Sequence, residues 1–217
     1  MLLLDLSPGE LLALLTTLIV GLTVHEYAHA WSAFRLGDPT AYASGRMTLD
    51  PRKHIDPLGA LMLLVAGFGW ARPVPIDPNR LGRRGTLLVA LAGPVSNVLL
   101  ATAAALVVRL MLWGMAPAMP RASLVVLTFV GSFLVYFVTL NLVLAVFNML
   151  PIAPLDGWRV LMGVVPAATA YRLHQLEPYS AMALIALVAF GRLGGRSLFG
   201  VIIGGPVGLL SRLLLGQ

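Results

Sequence analysis

Long apolar stretches separated by short polar ones dominate the chain, and three of them are long enough to cross a bilayer. A membrane-spanning helix needs about 20 apolar residues, because the hydrocarbon core is about 30 Å thick. The stretches at about 8–34, 86–114 and 122–150 meet this requirement. They predict three membrane-spanning helices, the first of which begins in "SPGE" with an N-cap serine and a first-turn proline.

The remaining apolar stretches are shorter or interrupted. Residues 59–70 are too short to span a bilayer, so they predict a re-entrant or interfacial segment, flanked by short strands in "SGRMTLDP" and "ARPVPIDP". After residue 150 prolines break the apolar pattern, and a short helix is expected to begin near Leu155. Residues 179–190 and 198–215 could form one irregular span or a hairpin, and the pattern leaves this choice open.

The composition agrees with a membrane protein. Of the 217 residues, 59% are hydrophobic and 11% are charged, against about 45–50% and about 25% in soluble domains. We therefore predict an all-α polytopic membrane protein with a single membrane-embedded domain at 1–217. Its three-helix core covers about 8–165 with a re-entrant or β-like surface segment, and irregular C-terminal helices follow at about 166–217. The first apolar stretch is interpreted as a retained helix, because the first ten residues contain Asp5 and Glu10 but no Lys or Arg, and a signal peptide would begin with basic residues.

Basic residues are concentrated in the loop at 35–85, which contains eight of the 15 Lys and Arg residues. No basic residue precedes the first span, and the 115–122 loop contains only Arg121. The positive-inside rule places the 35–85 loop in the cytoplasm and the N-terminus outside, for a multi-pass protein of the cell membrane. The same clustering accounts for the net charge of +6, and the chain has no aromatic-interleaved basic patch that would indicate nucleic-acid binding.

Polar side chains interrupt the first span in "LTVHEYAHAW", residues 22–31. A charged residue at membrane depth costs about 2.5–3.5 kcal/mol on insertion scales, so such residues mark functional sites. On a helix, His25 and His29 lie one turn and about 40° apart, so both imidazoles can reach one ion, and Glu26 can touch a water on that ion. This H-E-x-x-H spacing is that of two zinc ligands and a general base. The alternative is a polar cluster satisfied between helices.

A zinc site needs a third protein ligand, and a chain without cysteine must supply it from His, Asp or Glu. Asp156 in "PLDGW" is favoured, because the topology puts it at the same cytoplasmic level as His25 and His29. A helix N-cap role for Asp156 is the open alternative.

The other candidate ligands are less suitable. Asp5 and Glu10 lie at the wrong end of the first span, and Glu177 lies in a polar stretch. His54 is expected to be a loop histidine and His174 to be exposed. The acids of the basic loop are expected to be solvated, namely Asp38, Asp50, Asp56 and Asp77.

Two asparagines lie at similar depth to the histidines, Asn97 in the second span and Asn148 at the end of the third. A buried amide can hold a substrate carbonyl or stabilise an oxyanion. It can equally form an interhelical hydrogen bond, and position alone leaves both roles open. For Asn141, which lies deeper, we favour the structural role.

Three motifs, "HEYAH", "GPVSN" and "NMLPIAPLDG", follow one another in this order, and together they resemble the site-2 protease family of intramembrane zinc metalloproteases. The resemblance covers about residues 8–165. H-E-x-x-H alone is unspecific, but H-E-x-x-H followed by N-x-x-P-x-x-P-L-D-G is highly specific. The chain looks like a minimal member, because it shows no inserted PDZ-like domain and no CBS-like tail.

The resemblance implies a function and a set of roles. His25, His29 and Asp156 would hold one zinc ion per chain, Glu26 would be the general base, and Asn148 and Asn97 would bind substrate or stabilise the reacting carbonyl. The expected reaction is hydrolysis of peptide bonds within or near a transmembrane segment of another membrane protein in the bilayer. The alternative is a non-catalytic relative that binds a metal or transmembrane helices. Neither the substrate nor the oligomeric state follows from the sequence.

Overall fold

The computed structural model describes residues 8–66, 69–114, 121–190 and 198–216, and most of this part of the chain is helical. Its long apolar helices confirm the three predicted spans, at Gly9–Arg35, Pro78–Trp113 and Val126–Asn148. Helix α5 (Pro78–Gly114) bends at Gly82, whose φ of 61° lies in the left-handed region that glycine tolerates. The apolar part of α5 follows this bend, as the sequence predicts.

The first span consists of three consecutive helical pieces: α1 (Pro8–Thr16), a π-helical turn (Thr17–Gly21) and α2 (Leu22–Arg35). Helix α1 packs against α6 (Arg121–Asn148), whereas α2 packs mainly against α5. The hydroxyl of Tyr136 on α6 donates a hydrogen bond to the carboxylate of Glu10 on α1. A π-turn shifts the register of a helix locally, and here it lies where the partner of the span changes from α6 to α5.

The largest apolar cluster joins α5, α6 and α10 (Leu198–Leu215). Small side chains on α5 allow the helices to approach closely, which is how helices pack in lipid, where the hydrophobic effect gives no preference between helices. Its buried members are Ala101, Ala104, Ala105, Val108, Val138, Leu142, Ile203, Val207 and Leu215. The cluster holds α5 and α6 together beside the polar residues of the first span.

The loop between the first two spans contains short elements: α3 (Thr40–Ala43), a 3-10 turn (Pro51–Lys53) and α4 (Pro57–Ala66). With ten residues, α4 is about 15 Å long and cannot cross a bilayer, as expected. The expected surface strands are reduced, in the described residues, to one antiparallel bridge between Ile55 and Ala71. Prolines account for this in part, because a proline has no N–H with which to extend a ladder.

One expectation about this loop is wrong. Asp38 is fully buried, whereas the sequence suggested that it is solvated. Three donors surround its carboxylate and replace the water: the Thr40 N–H and hydroxyl and the Asp77 N–H. The other three acids of the loop, Asp50, Asp56 and Asp77, are partly exposed, as expected.

The C-terminal part begins with α7 (Asp156–Val164), close to the predicted position, and continues with α8 (Ala167–His174) and α9 (Glu177–Phe190). Helix α7 packs on α5. Gly157 lies so close to the carbonyl oxygens of Met149 and Leu150 that a Cβ there would collide with both. The two apolar stretches that follow form separate helices, α9 and α10, and the break at 191–197 lies outside the described residues.

Candidate metal centre

Helix α2 places two imidazoles on one face. Because they are four residues apart, the side chains of His25 and His29 stack along the helix, with 3.1 Å between their Nε2 atoms. Both are buried, with 3% and 6% of their surface exposed. Helix α2, the second half of the first span, therefore contains two nitrogen ligands that can reach the same ion.

Asp156 completes this group from α7. Its Oδ2 lies 3.1 Å from His25 Nε2 and 3.2 Å from His29 Nε2. The expected alternative, a helix N-cap, is not what the structure contains, because Asp156 is the first helical residue and Leu155 occupies the cap position. Burial raises the pKa of the Asp156 carboxyl, but hydrogen bonds and charge from His25 and His29 lower it by more. The pKa therefore lies below its usual range. The carboxylate is therefore ionised at neutral pH, which is the form that binds metal.

Acceptors on α5 and the helix backbone determine which imidazole nitrogens carry hydrogen. His25 Nδ1 donates to the Asn97 side-chain oxygen and His29 Nδ1 donates to the Val89 carbonyl, each over 2.7 Å. With a metal ion bound, each imidazole would be neutral and have one N–H, the one on Nδ1, so both Nε2 atoms would present a lone pair to the ion. Such hydrogen bonds from the far nitrogen orient metal-binding histidines.

The group fits a zinc ion. The Nε2 atoms of His25 and His29 and Oδ2 of Asp156 lie within 3.2 Å of one another, and a bound cation would offset the repulsion between two neutral imidazole lone pairs and a carboxylate at these distances. Tetrahedral zinc with bonds of about 2.0–2.1 Å separates its ligands by about 3.3 Å, close to these distances. Oδ2 of Asp156 is also a buried atom without a hydrogen-bond partner. Three protein ligands would leave the fourth position open for water or substrate.

Asn97 is held in one orientation by a chain of hydrogen bonds through the helices. Its Nδ2 donates to the Gly21 carbonyl (3.2 Å) and to the Asn141 side-chain oxygen (3.0 Å). Asn141 in turn donates to the Phe137 carbonyl, which confirms the structural role expected for it. Because both amide hydrogens are used and the side chain is fully buried, these contacts favour a role of Asn97 in orienting His25 over contact with a substrate.

Glu26 lies on a neighbouring face of α2 and receives a hydrogen bond from the loop. The backbone N–H of Val74 donates to Glu26 Oε2 over 3.2 Å, although the two residues are 48 positions apart. Glu26 is buried, with 8% of its surface exposed. The carboxylate thus faces the interior beside the His–Asp group.

A cavity of about 370 Å³ opens onto these residues. Its walls are mainly apolar and come from α2, the 69–76 stretch, α5, α6, the 154–155 connection, α7 and α9. Asn148 lines it together with His25, Glu26 and Asp156. The Asn148 amide donates one hydrogen bond to the Leu144 carbonyl and carries a second hydrogen that can reach a bound group.

Gly93 is a site residue that sequence reasoning missed. A Cβ at this position of α5 would lie 2.6 Å from His25 Nε2 and would also collide with His29 Nε2. The available signal was its position four residues before Asn97, which places both on one face of α5.

The other candidate ligands lie elsewhere. Among the described residues, His25, His29 and Asp156 are the one group of three potential ligands whose atoms lie within 4.8 Å of one another. His54 is a buried loop residue whose Nε2 contacts the Thr48 carbonyl. His174 is exposed and pairs with Glu177. Both agree with expectation.

Known proteins resemble this chain in sequence. Residues 13–190 match the model of peptidase family M50. The chain is 42% identical over 177 residues to a Bacillus subtilis protein named as a zinc metalloprotease, YwhC, covering 80% of this chain and 78% of that protein. It is 32% identical over 190 residues to a Mycobacterium tuberculosis protein named as a zinc metalloprotease, Rip2, covering 85% of this chain and 69% of that one.

No solved structure matches the chain, so the family assignment rests on sequence similarity. It agrees with the chemistry of the His–Asp group and with the three apolar spans. The chain therefore belongs to peptidase family M50, the site-2 protease family, and is a zinc metallopeptidase of the membrane.

Proposed function

We propose that this chain hydrolyses peptide bonds within or near transmembrane segments of other membrane proteins. The observation that carries the proposal is the position of His25 and His29 inside a membrane span. His25 and His29 belong to the 27-residue span Gly9–Arg35, and the cavity beside them is mostly apolar. An apolar cavity at this depth suits a segment that comes from the bilayer rather than a soluble peptide.

His25, His29 and Asp156 are proposed as the zinc ligands. Zinc held there would supply a Lewis acid and lower the pKa of a bound water towards 7. Asn97 and the Val89 carbonyl keep the Nδ1 hydrogens of the two histidines in place, so that both Nε2 atoms stay available. Asp156 adds a negative charge that offsets the dipositive ion.

Glu26 is proposed as the general base. Its carboxylate takes a proton from the attacking water and later gives it to the leaving amine, as general acid–base catalysis requires. Asn148 is proposed to donate its second amide hydrogen to the carbonyl oxygen of the substrate, where negative charge develops. A helical substrate must unwind locally, because its carbonyls are otherwise occupied by i→i−4 hydrogen bonds.

The site is proposed to face the cytoplasmic half of the membrane. Most basic residues lie in the loop at 35–85, which follows the end of α2 that carries His29. Asp156 lies just past α6 at the same level. Water for hydrolysis would then enter from the cytoplasmic side.

Cleavage of a transmembrane-helix substrate by the purified protein in detergent tests the proposal. We expect cleavage that a zinc chelator abolishes and that Glu26→Gln abolishes while bound zinc stays near one ion per chain. Glu177→Gln is the matched control, because Glu177 contacts only the exposed His174 among the pairs described, and it should cleave like the wild type.

Three results would contradict the proposal. A Glu26→Gln variant that still cleaves, or that has lost its zinc, would show that Glu26 is not the general base. Stoichiometric zinc without cleavage of any transmembrane substrate would favour a non-catalytic relative that binds membrane helices.

A further inference from the structure

Residues 71–77, which have no regular secondary structure apart from the bridge at Ala71, form a cover segment along one wall of the cavity. Pro73, Val74 and Ile76 line that cavity, and the Val74 N–H donates to Glu26 Oε2 over 3.2 Å. The cover segment therefore touches the carboxylate of the proposed general base directly.

Two prolines make this contact depend on a single donor. Pro73 and Pro75 have no N–H, so Val74 supplies the one backbone donor between Arg72 and Ile76. Val74 is buried, with 5% of its surface exposed, so water does not readily replace it. The orientation of Glu26 then depends on where the cover segment is held.

The cover segment is anchored at both ends. At its start, the Arg72 N–H donates to the His54 carbonyl over 2.7 Å, and Arg46 Nη2 donates to the Arg72 carbonyl over 2.6 Å. At its end, the Asp77 N–H donates to Asp38 Oδ2 over 2.7 Å. The second anchor is a buried carboxylate, which is the stronger type of acceptor.

Asp38 is itself held rigidly to the helix that carries Glu26. Its own N–H donates to the Ala33 carbonyl at the end of α2 over 2.9 Å, and its Oδ1 accepts from Thr40 N–H and Oγ1–H. Burial raises the pKa of Asp38, but the hydrogen bonds from Thr40 and Asp77 and the charge of Arg80 lower it below its usual value. The carboxylate is therefore ionised at neutral pH, with three donors around it.

Apolar packing also holds the cover segment, because Val74 packs with Ala30 and Ala41 and is flanked by Met47 and Ile76. Apolar contact is non-directional, so it keeps the segment in place without fixing its position along the helix. The hydrogen bond from Asp77 is directional and fixes that position.

We propose that Asp38 is a positioning residue for Glu26, which it serves by holding the Asp77 N–H and so keeping the Val74 N–H on the Glu26 carboxylate. The proposal rests on the proposed function, in which Glu26 is the general base. Asp38 does not touch the substrate or the metal ligands; it acts through the backbone of the cover segment.

Hydrogen–deuterium exchange tests the structural half without any substrate. The stretch at 73–78, "PVPIDP", has only three amides, those of Val74, Ile76 and Asp77. In Asp38→Ala we expect the Val74 and Asp77 amides to exchange about tenfold faster or more, because loss of an anchor promotes local opening. Asp38→Asn keeps one acceptor oxygen and should show a smaller increase in the exchange rates. This variant replaces Asp38→Ala in the experiment if the alanine variant does not fold.

Asp50→Ala is the matched control, because Asp50 is an aspartate of the same loop whose side chain, among the described residues, accepts only from Arg52. It should leave exchange at 73–78 unchanged. Unchanged exchange of the Val74 amide in both Asp38 variants would overturn the proposal, whether or not the protein cleaves any substrate.

A double-mutant cycle tests the catalytic half. Asp38→Ala should lower kcat about 10- to 100-fold, the usual cost of losing a residue that orients a catalytic group, with KM and zinc content within about twofold of wild type. Val74→Pro removes the backbone N–H that donates to Glu26, in a segment that already has proline at 73 and 75. It should lower kcat by a similar factor. Because both changes break one contact, the double variant should be no worse than Val74→Pro alone.

Additive losses in the double variant, or an effect of Asp38→Ala on KM alone, would overturn the positioning role. If instead Glu26→Gln were fully active, the general-base role of Glu26 in the proposed function would fail, and the exchange result would still decide whether Asp38 holds the Val74 amide.

Discussion

Asn97 and Asn148 both carry an amide near the His–Asp group, but their contacts differ. Asn97 has its oxygen on His25 Nδ1 and both amide hydrogens on protein oxygens. Asn148 uses one amide hydrogen on the Leu144 carbonyl and lines the cavity. Substitutions of the two residues should therefore impair different properties, zinc binding for Asn97 and cleavage for Asn148.

Asn97→Ala should weaken zinc binding about 10- to 100-fold, because the His25 N–H loses its acceptor and the ring its orientation. Asn148→Ala should keep its zinc and lose cleavage, since only the group proposed to contact the substrate is removed. Competition with a zinc chelator measures the first effect and turnover of the loaded enzyme the second. Full zinc affinity in Asn97→Ala would contradict the orienting role.

Gly93 gives a second prediction at this scale. Gly93→Ala should strongly reduce bound zinc, because the new Cβ would collide with the Nε2 atoms of both histidines. Gly131→Ala is the matched control, since a Cβ at Gly131 in α6 would meet no atom within 4 Å. Metal analysis of the two purified variants checks this, and a normal zinc content in Gly93→Ala would show that the rings can move aside.

At the scale of elements, the site joins α2 to α7 through the contacts of Asp156 with His25 and His29. An irregular connection at 149–155 leads from α6 to α7. A ligand that binds only the folded state stabilises it by about 2.7 kcal/mol at a hundredfold excess over Kd. For a chain of this size, chelation should then lower Tm by roughly 5–10 °C.

The His25→Ala variant is the control for this effect, because its Tm should no longer respond to the chelator. A thermal scan in detergent with and without chelator makes the comparison. The same Tm for the wild type in both conditions would mean that α7 is held by its packing on α5 alone.

The extended stretch between α4 and α5 is the element in which pattern and structure differ most. Its partial alternation suggested surface strands, but Pro73 and Pro75 remove two donors and the described part contains one bridge. The Val74 N–H that remains is used on Glu26 rather than on a neighbouring strand. Alternation cannot reveal this, because it reports which side chains share a face and not where a backbone donor is used.

For the whole molecule, orientation in the membrane is the property to test. The chain has no cysteine, so a single introduced cysteine reports its own accessibility without background. Arg52→Cys lies in the basic loop, where the native side chain is 88% exposed, and Trp113→Cys lies at the far end of α5, where the residue is 91% exposed.

In intact cells, a membrane-impermeant thiol reagent should label Trp113→Cys and leave Arg52→Cys unlabelled. After permeabilisation it should label both. Labelling of Arg52→Cys in intact cells would show the opposite orientation, with the candidate site towards the outside.

The sequence by itself determined the three spans and the candidate metal-binding pair. A span is recognisable because its apolar length must match the bilayer, and His25 and His29 share a face because a helix has 3.6 residues per turn. The level of Asp156 followed from counting spans and basic residues. These inferences need only the spacing of nearby residues or the known thickness of the bilayer.

The tertiary structure alone decided the contacts that surround this pair. Asn97 reaches His25 across 72 positions, the Val74 N–H reaches Glu26 across 48, and Asp38 holds Asp77 across 39. Such contacts depend on how α2 packs on α5 and how a proline-rich loop folds back, and neither leaves a period in the sequence. Asp38 looked solvated for a related reason: two of its three donors come from the nearby Thr40, but the third, the Asp77 N–H, reaches it only through the fold of the loop.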